Sequence, residues 1–170
     1  DDRVAQQQSF VPEARAMIAA HGRDKQIRLA SHDDTTLADV EQSADDGITI
    51  SEFPTTLAAA RNARERGQQI VMGAPNVVLG GSHSGNVGAM ELAEAGCLDV
   101  LTSDYVPASL LHGAVRVGQQ LGNLGAGIQM VTSAPADLLG LADRGRLEPG
   151  KRADIVQVRL VGDLPVVRGI

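Results

Sequence analysis

The chain has 170 residues, enough for one ordinary domain with a real core and too few for two. Apolar residues make up 43% and charged residues 21%, which excludes a disordered composition. The net charge of −6, with two Phe, one Tyr and no Trp for stacking, argues against a nucleic-acid partner. No apolar run approaches the ~18 residues of a membrane span and no signal-peptide pattern opens the sequence, so a cytoplasmic protein without a membrane partner is expected. The single Cys97 excludes an internal disulfide framework and a Cys-based zinc knuckle. Nineteen glycines point to tight turns or to loops that approach a ligand closely.

In chain order, residues 1–20 end in PEARAMIAA before His21-Gly22, which reads as a helix with its stop. Ile27 to Ser31 is a short apolar run broken by His32-Asp33-Asp34. Thr35-Thr36 can cap a helix running to Gly47. Ile48 to Ser51 is a second run, ending at Glu52-Phe53-Pro54, and Thr55-Thr56 opens a helix closed by Gly67. Gln69 to Met72 is the third run. A twelve-residue loop without clear periodicity, 74–85, precedes a helix read over 86–95 and stopped by Gly96. Leu98 to Thr102 is the fourth run, ending at Ser103-Asp104-Tyr105, and Pro107 starts another helix. The regularity is one of pattern and not of residue identity. Four short strands, apolar on both faces and each followed by a helix, describe a parallel sheet covered by helices, either doubly wound or part of a (β/α)8 barrel.

In either architecture ligands meet the carboxyl ends of the strands. Those ends carry His32-Asp33-Asp34, Glu52, Asn76 and Asp104, while the helix stops carry glycine. Parallel strands would bring such side chains to one rim, as a hydrolytic metal site requires, and imidazole with carboxylates suits a divalent ion. A strand-end histidine also serves as a helix cap or a core residue, and a strand-end aspartate also caps the next helix. The residues alone leave both readings open.

The loop 74–85 ends in Gly80-Gly81-Ser82-His83-Ser84-Gly85-Asn86 and leads into a helix. Such a junction can offer N–H groups and a positive dipole end to an anion. Equally, Ser84 or Asn86 can simply cap the helix, and His83 can be a phosphate contact or a loop residue without consequence. The spacing matches neither the P-loop nor the dinucleotide fingerprint. His21 reads as a partner of terminal carbonyls, and His112 as a packed or exposed helix residue. Arg61, Arg64 and Arg66 read as a solvated face, and Cys97 as a small buried hydrophobe.

The stretches SHDDTT (31–36), GITISEFPTT (47–56), VMGAPNVVLGGSHSGN (71–86) and SDYVPASLL (103–111) closely resemble the amidohydrolase superfamily, in its branch that serves phosphonate catabolism. SAPADLLGL (133–141) and DRGRLEPGKRADIVQVRL (143–160) are similar to the family's return from barrel to small β domain. The resemblance runs from about Lys25 onward. It implies the C-terminal half of a metal-dependent-hydrolase (β/α)8 TIM barrel, with residues 1–133 holding strands five to eight and 134–170 returning to the small β domain. It also implies His32 as a metal ligand after the fifth strand, and Asp104 after the eighth as ligand and catalytic proton acceptor. Glu52 stands where many relatives have a second histidine, so it is either ligand or substrate contact. The ion expected is zinc, or manganese.

The reaction implied is hydrolysis of a ribose 5-triphosphate to the 5-phosphate and pyrophosphate, with a phosphorylated sugar as the small-molecule partner. Gly81, Ser82, His83, Ser84 and Asn86 would hold the polyphosphate. The family's first-strand His-x-His pair and fourth-strand bridging residue are not found in this sequence. Half a barrel would expose two sheet edges, so the chain is expected to be a fragment that is inactive alone. It would need the N-terminal half of the same protein, or would pair as a homo-oligomer. Two alternatives remain: a C–N hydrolase of the same fold, such as an amino-sugar phosphate deacetylase, and a non-catalytic phosphate-binding module.

Overall fold

The computed structural model describes residues 2–82 and 85–170. In order these form α1 (Asp2–Lys25), β1 (Ala30–His32), α2 (Leu37–Asp45), β2 (Ile50–Glu52), α3 (Leu57–Glu65), β3 (Gln69–Gly73), α4 (Ala74–Leu79), α5 (Ala89–Glu94), β4 (Val100–Thr102), α6 (Ser109–Gln120), α7 (Leu124–Gln129), α8 (Ser133–Leu138), β5 (Gln157–Val161) and β6 (Leu164–Gly169). Strands β1 to β4 lie side by side in that order, all parallel, and β5 and β6 form a separate antiparallel hairpin. Among the described residues no helix is long and apolar enough to cross a membrane.

The register fixes which side chains share a face. His32 pairs with Glu52, Glu52 with Val71, and Val71 with Val100, so these four stand in one row on one face. The alternate residues, Ile70, Met72 and Leu101, face the helices. There they join Val40 of α2, Ala59, Ala60 and Ala63 of α3, Val77 of α4, Leu92 of α5 and Val117 of α6 in the main core. The small alanines of α3 let its backbone approach the sheet closely. On the opposite face Ile50, Val71 and Val100 pack with Leu138 and Ala134, which brings α8 onto that side. Both faces of β2, β3 and β4 are therefore covered, as their apolar runs require, while β1 at the sheet edge leaves Ala30 and His32 exposed.

The first two strand-to-helix units are near copies. Ser31 and Ser51, Thr35 and Thr55, Thr36 and Thr56, Leu37 and Leu57, and Ala38 and Ala58 occupy equivalent places, so the repeat is one of identity as well as pattern. Thr36 accepts the Asp39 N–H at 3.2 Å while Asp39 Oδ2 accepts the Thr36 N–H at 2.8 Å, a reciprocal capping box. Thr56 caps α3 by accepting the Ala59 N–H at 3.1 Å. The two caps touch: Thr55 Oγ1 donates to Thr35 Oγ1 at 2.8 Å and Thr56 Oγ1 to the Thr35 carbonyl at 3.0 Å.

Three expectations need correction. The helix read as stopping at His21-Gly22 continues to Lys25, so His21 is not at a terminus. Gly22 is a contact point where a Cβ would stand 2.8 Å from Leu29 Cδ1. The loop beginning at Ala74 opens as helix α4, because Pro75 occupies the first turn, where its missing N–H is no loss, and Gly80 with φ 84° ends it. The arginine face of α3 is not merely solvated: Arg64 Nη2 reaches Asp99 Oδ1 at 2.8 Å and Arg66 Nη2 reaches Glu41 Oε1 at 2.6 Å. Cys97 is buried, at 3% exposure.

Candidate metal-binding rim

At the carboxyl ends of β1, β2 and β4 the backbone turns through the left-handed region at residues that are not glycine. Asp33 has φ 60°, Phe53 φ 54° and Asp104 φ 49°. Aspartate tolerates this conformation, whereas an aromatic residue rarely does, and such positions cost about 1–3 kcal/mol each. The ladder pins the backbone where it turns: the Asp33 N–H donates to the Glu52 carbonyl and the Phe53 N–H to the Val71 carbonyl, both at 3.0 Å. Strain of this kind, repeated at three strand ends on one rim, concentrates where a fold positions functional side chains.

His32 is exposed and its Nδ1 lies 3.1 Å from Asp33 Oδ2. The imidazole also meets the Phe53 ring edge-on, with centroids 5.3 Å apart and planes inclined by 60°. Glu52, half-buried, stands beside His32 in register on the adjacent strand. Gly73 ends β3 and shares the inward parity of Val71. A Cβ built on it would stand 3.1 Å from Asp104 Oδ2 and 3.2 Å from Phe53 Cε1. The Asp104 carboxylate thus lies over the same face as His32 and Glu52, and the Phe53 ring reaches both the imidazole and the point over Gly73.

The remaining strand-end residues have other work. Asp34 is buried and turned toward the helices, accepting Ser31 Oγ at 2.6 Å and Ser43 Oγ at 3.4 Å. Asn76, expected at a strand end, lies in α4. Its Oδ1 accepts the Ala89 N–H at 2.8 Å and its carbonyl accepts the N–H groups of Gly80 and Gly81 at 3.1 and 3.0 Å. This corrects the reading of the loop in two ways. The cap of α5 comes from Asn76 with Gly88 at the N-cap position, and not from Asn86, which is exposed. The N–H groups that an anion would use at Gly80, Gly81 and Ala89 are already bonded. His83 and Ser84 lie outside the described residues; Gly81 and Ser82 are half-buried.

Among the described residues no three His, Cys, Asp or Glu side chains converge closely enough to hold a metal ion. The donor chemistry of His32, Glu52 and Asp104 nevertheless fits a divalent cation, and Gly73 adds no side chain of its own where Asp104 Oδ2 and the Phe53 ring approach. The three donors are spread along one rim. What the sequence reading missed is Phe53 and Gly73. The signal available for Phe53 was an aromatic in a chain with only two phenylalanines, placed between a strand end and a proline.

Comparison with known proteins identifies the family of this fold. A sequence profile described as the amidohydrolase family matches residues 7–161. Over 145 residues the chain is 53% identical to the alpha-D-ribose 1-methylphosphonate 5-triphosphate diphosphatase of Escherichia coli (strain K12), covering 84% of the chain and 38% of that protein. A crystal structure of an uncharacterized protein superposes with a TM-score of 0.64 at 18% identity, covering 86% of this chain and 42% of the other. The chain therefore spans less than half the length of the proteins it matches. The chain belongs to the amidohydrolase family, and its parallel sheet with the small antiparallel hairpin corresponds to part of a (β/α) barrel and its accompanying β domain.

Proposed function

We propose that the chain is the C-terminal portion of a metal-dependent diphosphatase that hydrolyses alpha-D-ribose 1-methylphosphonate 5-triphosphate to the 5-phosphate and pyrophosphate. The observation that carries this reading is the 53% identity over 145 residues to a diphosphatase of that name. The geometry supports it with an imidazole and two carboxylates on one face of a parallel rim. In this reading residues 1–133 belong to the barrel and 134–170 to the return toward the β domain, and the remaining ligands come from the part of the barrel beyond this chain.

Members of the family usually use divalent metals. Zinc is the ion proposed, with manganese the other choice, and His32, Glu52 and Asp104 would hold it. Once bound, the cation supplies charge neutralisation and lowers the pKa of water toward ~7. The carboxylate beside His32 Nδ1 favours the tautomer protonated there and leaves Nε2 as the donor atom. Asp104 accepts the proton of the attacking water as its oxygen bonds to the phosphorus nearest the ribose. The bond from that phosphorus to the bridging oxygen breaks, and pyrophosphate leaves with the electron pair. Because such a transfer needs neutralisation of charge more than covalent help, polar groups around the phosphates matter as much as the proton acceptor. Gly81, Ser82, His83, Ser84 and Asn86 are proposed to line the polyphosphate. With the nearby N–H groups already bonded, the hydroxyls, imidazole and amide of this loop would make the contacts. The setting proposed is a cytoplasmic catabolic enzyme with a small phosphorylated sugar as its partner.

The test is pyrophosphate release and metal content in the full-length protein and its His32→Asn and Asp104→Asn variants. A loss of about 10²–10⁴ in kcat is expected for Asp104→Asn, and loss of metal for His32→Asn. Turnover at the parent rate in either variant would refute the assignment.

A further inference from the structure

We infer that Phe53 is a positioning residue for His32, and that the bare Cα of Gly73 is the gap that allows its ring to approach both the imidazole and Asp104. The inference rests on the proposed reading of His32 and Asp104 as metal ligands, and adds a group that coordinates nothing itself.

The backbone at Phe53, with φ 54°, would suit glycine without steric penalty. What phenylalanine adds there is its ring, and the neighbourhood holds the residue against its conformational preference. Its N–H is bonded to the Val71 carbonyl at 3.0 Å, fully buried Pro54 follows, and the Thr55 N–H is bonded to the Asp34 carbonyl at 2.9 Å. The turn cannot relax without breaking one of these contacts.

The ring so placed meets two strand ends. It meets the His32 imidazole edge-on at 5.3 Å, while the Asp33 carboxylate lies 3.1 Å from Nδ1. The imidazole is thus flanked by a carboxylate at one nitrogen and an aromatic ring, although His32 itself is 58% exposed. An exposed histidine on a three-residue strand has no packing of its own to select a rotamer; these two neighbours select it. Ring atom Cε1 stands 3.2 Å from the position a Gly73 Cβ would take, with Asp104 Oδ2 at 3.1 Å from that position. Any side chain at 73 would push the ring back toward His32 or the carboxylate off the rim.

The experiment uses full-length protein carrying Phe53→Gly, Phe53→Leu or Phe53→Tyr, with His32→Asn alongside. Zinc affinity is read by chelator competition, the His32 ring resonances by NMR of the metal-free protein, and folding by thermal melting. Phe53→Gly and Phe53→Leu are expected to shift the His32 resonances and weaken zinc about 10-fold, the lower end for partners that orient a ligand. Phe53→Gly relieves the backbone but gives up the ring's packing against the main core, so the melting curve of Phe53→Leu is the one read beside the zinc affinity. Phe53→Tyr, which keeps the ring, should retain parent values. Parent zinc affinity together with unshifted His32 resonances in Phe53→Leu, which keeps most of the apolar volume, would overturn the inference. If His32→Asn also binds zinc as the parent does, the failure belongs to the site assignment; if His32→Asn loses zinc while Phe53→Leu keeps it, only the role of Phe53 falls.

Discussion

Substituting Gly73 by alanine separates the positioning of the rim from the stability of the fold. Gly73 has φ −75° and ψ 128°, a conformation alanine adopts freely, so no backbone strain is introduced. Loss of glycine freedom in the unfolded chain alone would stabilise by about 0.4–1 kcal/mol. Against this, the new methyl would stand 3.1 Å from Asp104 Oδ2, 3.2 Å from Phe53 Cε1 and 3.4 Å from Asp104 Cβ. Each must yield a few tenths of an ångström. Asp104 is exposed and can yield at little energetic expense, so the melting temperature should stay near that of the parent. The proposed proton acceptor, however, moves with it. A misplacement of about 1 Å at a reacting group is worth about 10²-fold, so a fraction of that gives about 10-fold in kcat, or about 1.4 kcal/mol of barrier. Pyrophosphate release by full-length Gly73→Ala, paired with a thermal melt, checks both quantities. Parent kcat would refute the reasoning, and so would a loss of activity that simply tracks a loss of folded protein.

Asp99 and Arg64 form an ion pair whose two halves should behave unequally. Asp99 Oδ2 also accepts the N–H of fully buried Ile70 at 2.8 Å, so Asp99→Ala should cost about 1–3 kcal/mol in urea titration, and Arg64→Ala no more than about 1 kcal/mol. Equal losses would refute the assignment. Thr36→Ala should lower stability by about 1 kcal/mol through loss of its cap, measurable in the same titration. The Thr36 N–H, with the Thr36 hydroxyl and the Thr35 N–H, holds the Asp39 carboxyl below its ordinary value of 3.8. The stabilisation this provides is complete above that unfolded-state value and is lost as pH falls through the lower folded value. Asp39→Asn should therefore flatten the decline in melting temperature below about pH 4; an unchanged acid limb would refute it. Gly113→Ala would place a methyl 2.9 Å from Ala74 Cβ where α6 crosses α4, and the overpacking should cost about 1–3 kcal/mol.

The parallel sheet was legible because β2, β3 and β4 are buried on both faces, which turns each into an apolar run bounded by polar residues and glycine. The helix caps were legible for a local reason: Thr36 and Thr56 bond within one turn of themselves. What escaped was set by partners far along the chain. Asn76 looks like a strand-end ligand until its side chain is seen to hold the Ala89 N–H, and Asp34 looks like a companion of Asp33 until Ser43 is seen beneath it. The helical start at Ala74 was obscured by Pro75, which reads as a breaker when the preceding strand end is not yet placed. Left-handed turns at aspartate can be anticipated from residue type. The one at Phe53 cannot, since nothing local favours it.

That difference bears on how the rim is built. A polar side chain at a strand end needs only the register to reach the common face, and register follows from burying Ile70, Met72 and Leu101 under the helices. Aim is a separate problem, because an exposed imidazole or carboxylate is free to rotate through several staggered positions. In this protein the aim of His32 comes from residues that supply no ligand atom to it in the proposed site: the Asp33 carboxylate, the Phe53 ring and the absence of a side chain at Gly73. The energy that keeps Phe53 in its unfavourable turn is provided by the ladder bond to Val71 and the buried Pro54, both parts of the fold outside the rim. Substitutions that loosen β2 against β3 should consequently degrade the orientation of His32 even though His32 lies on β1. The route runs through Phe53.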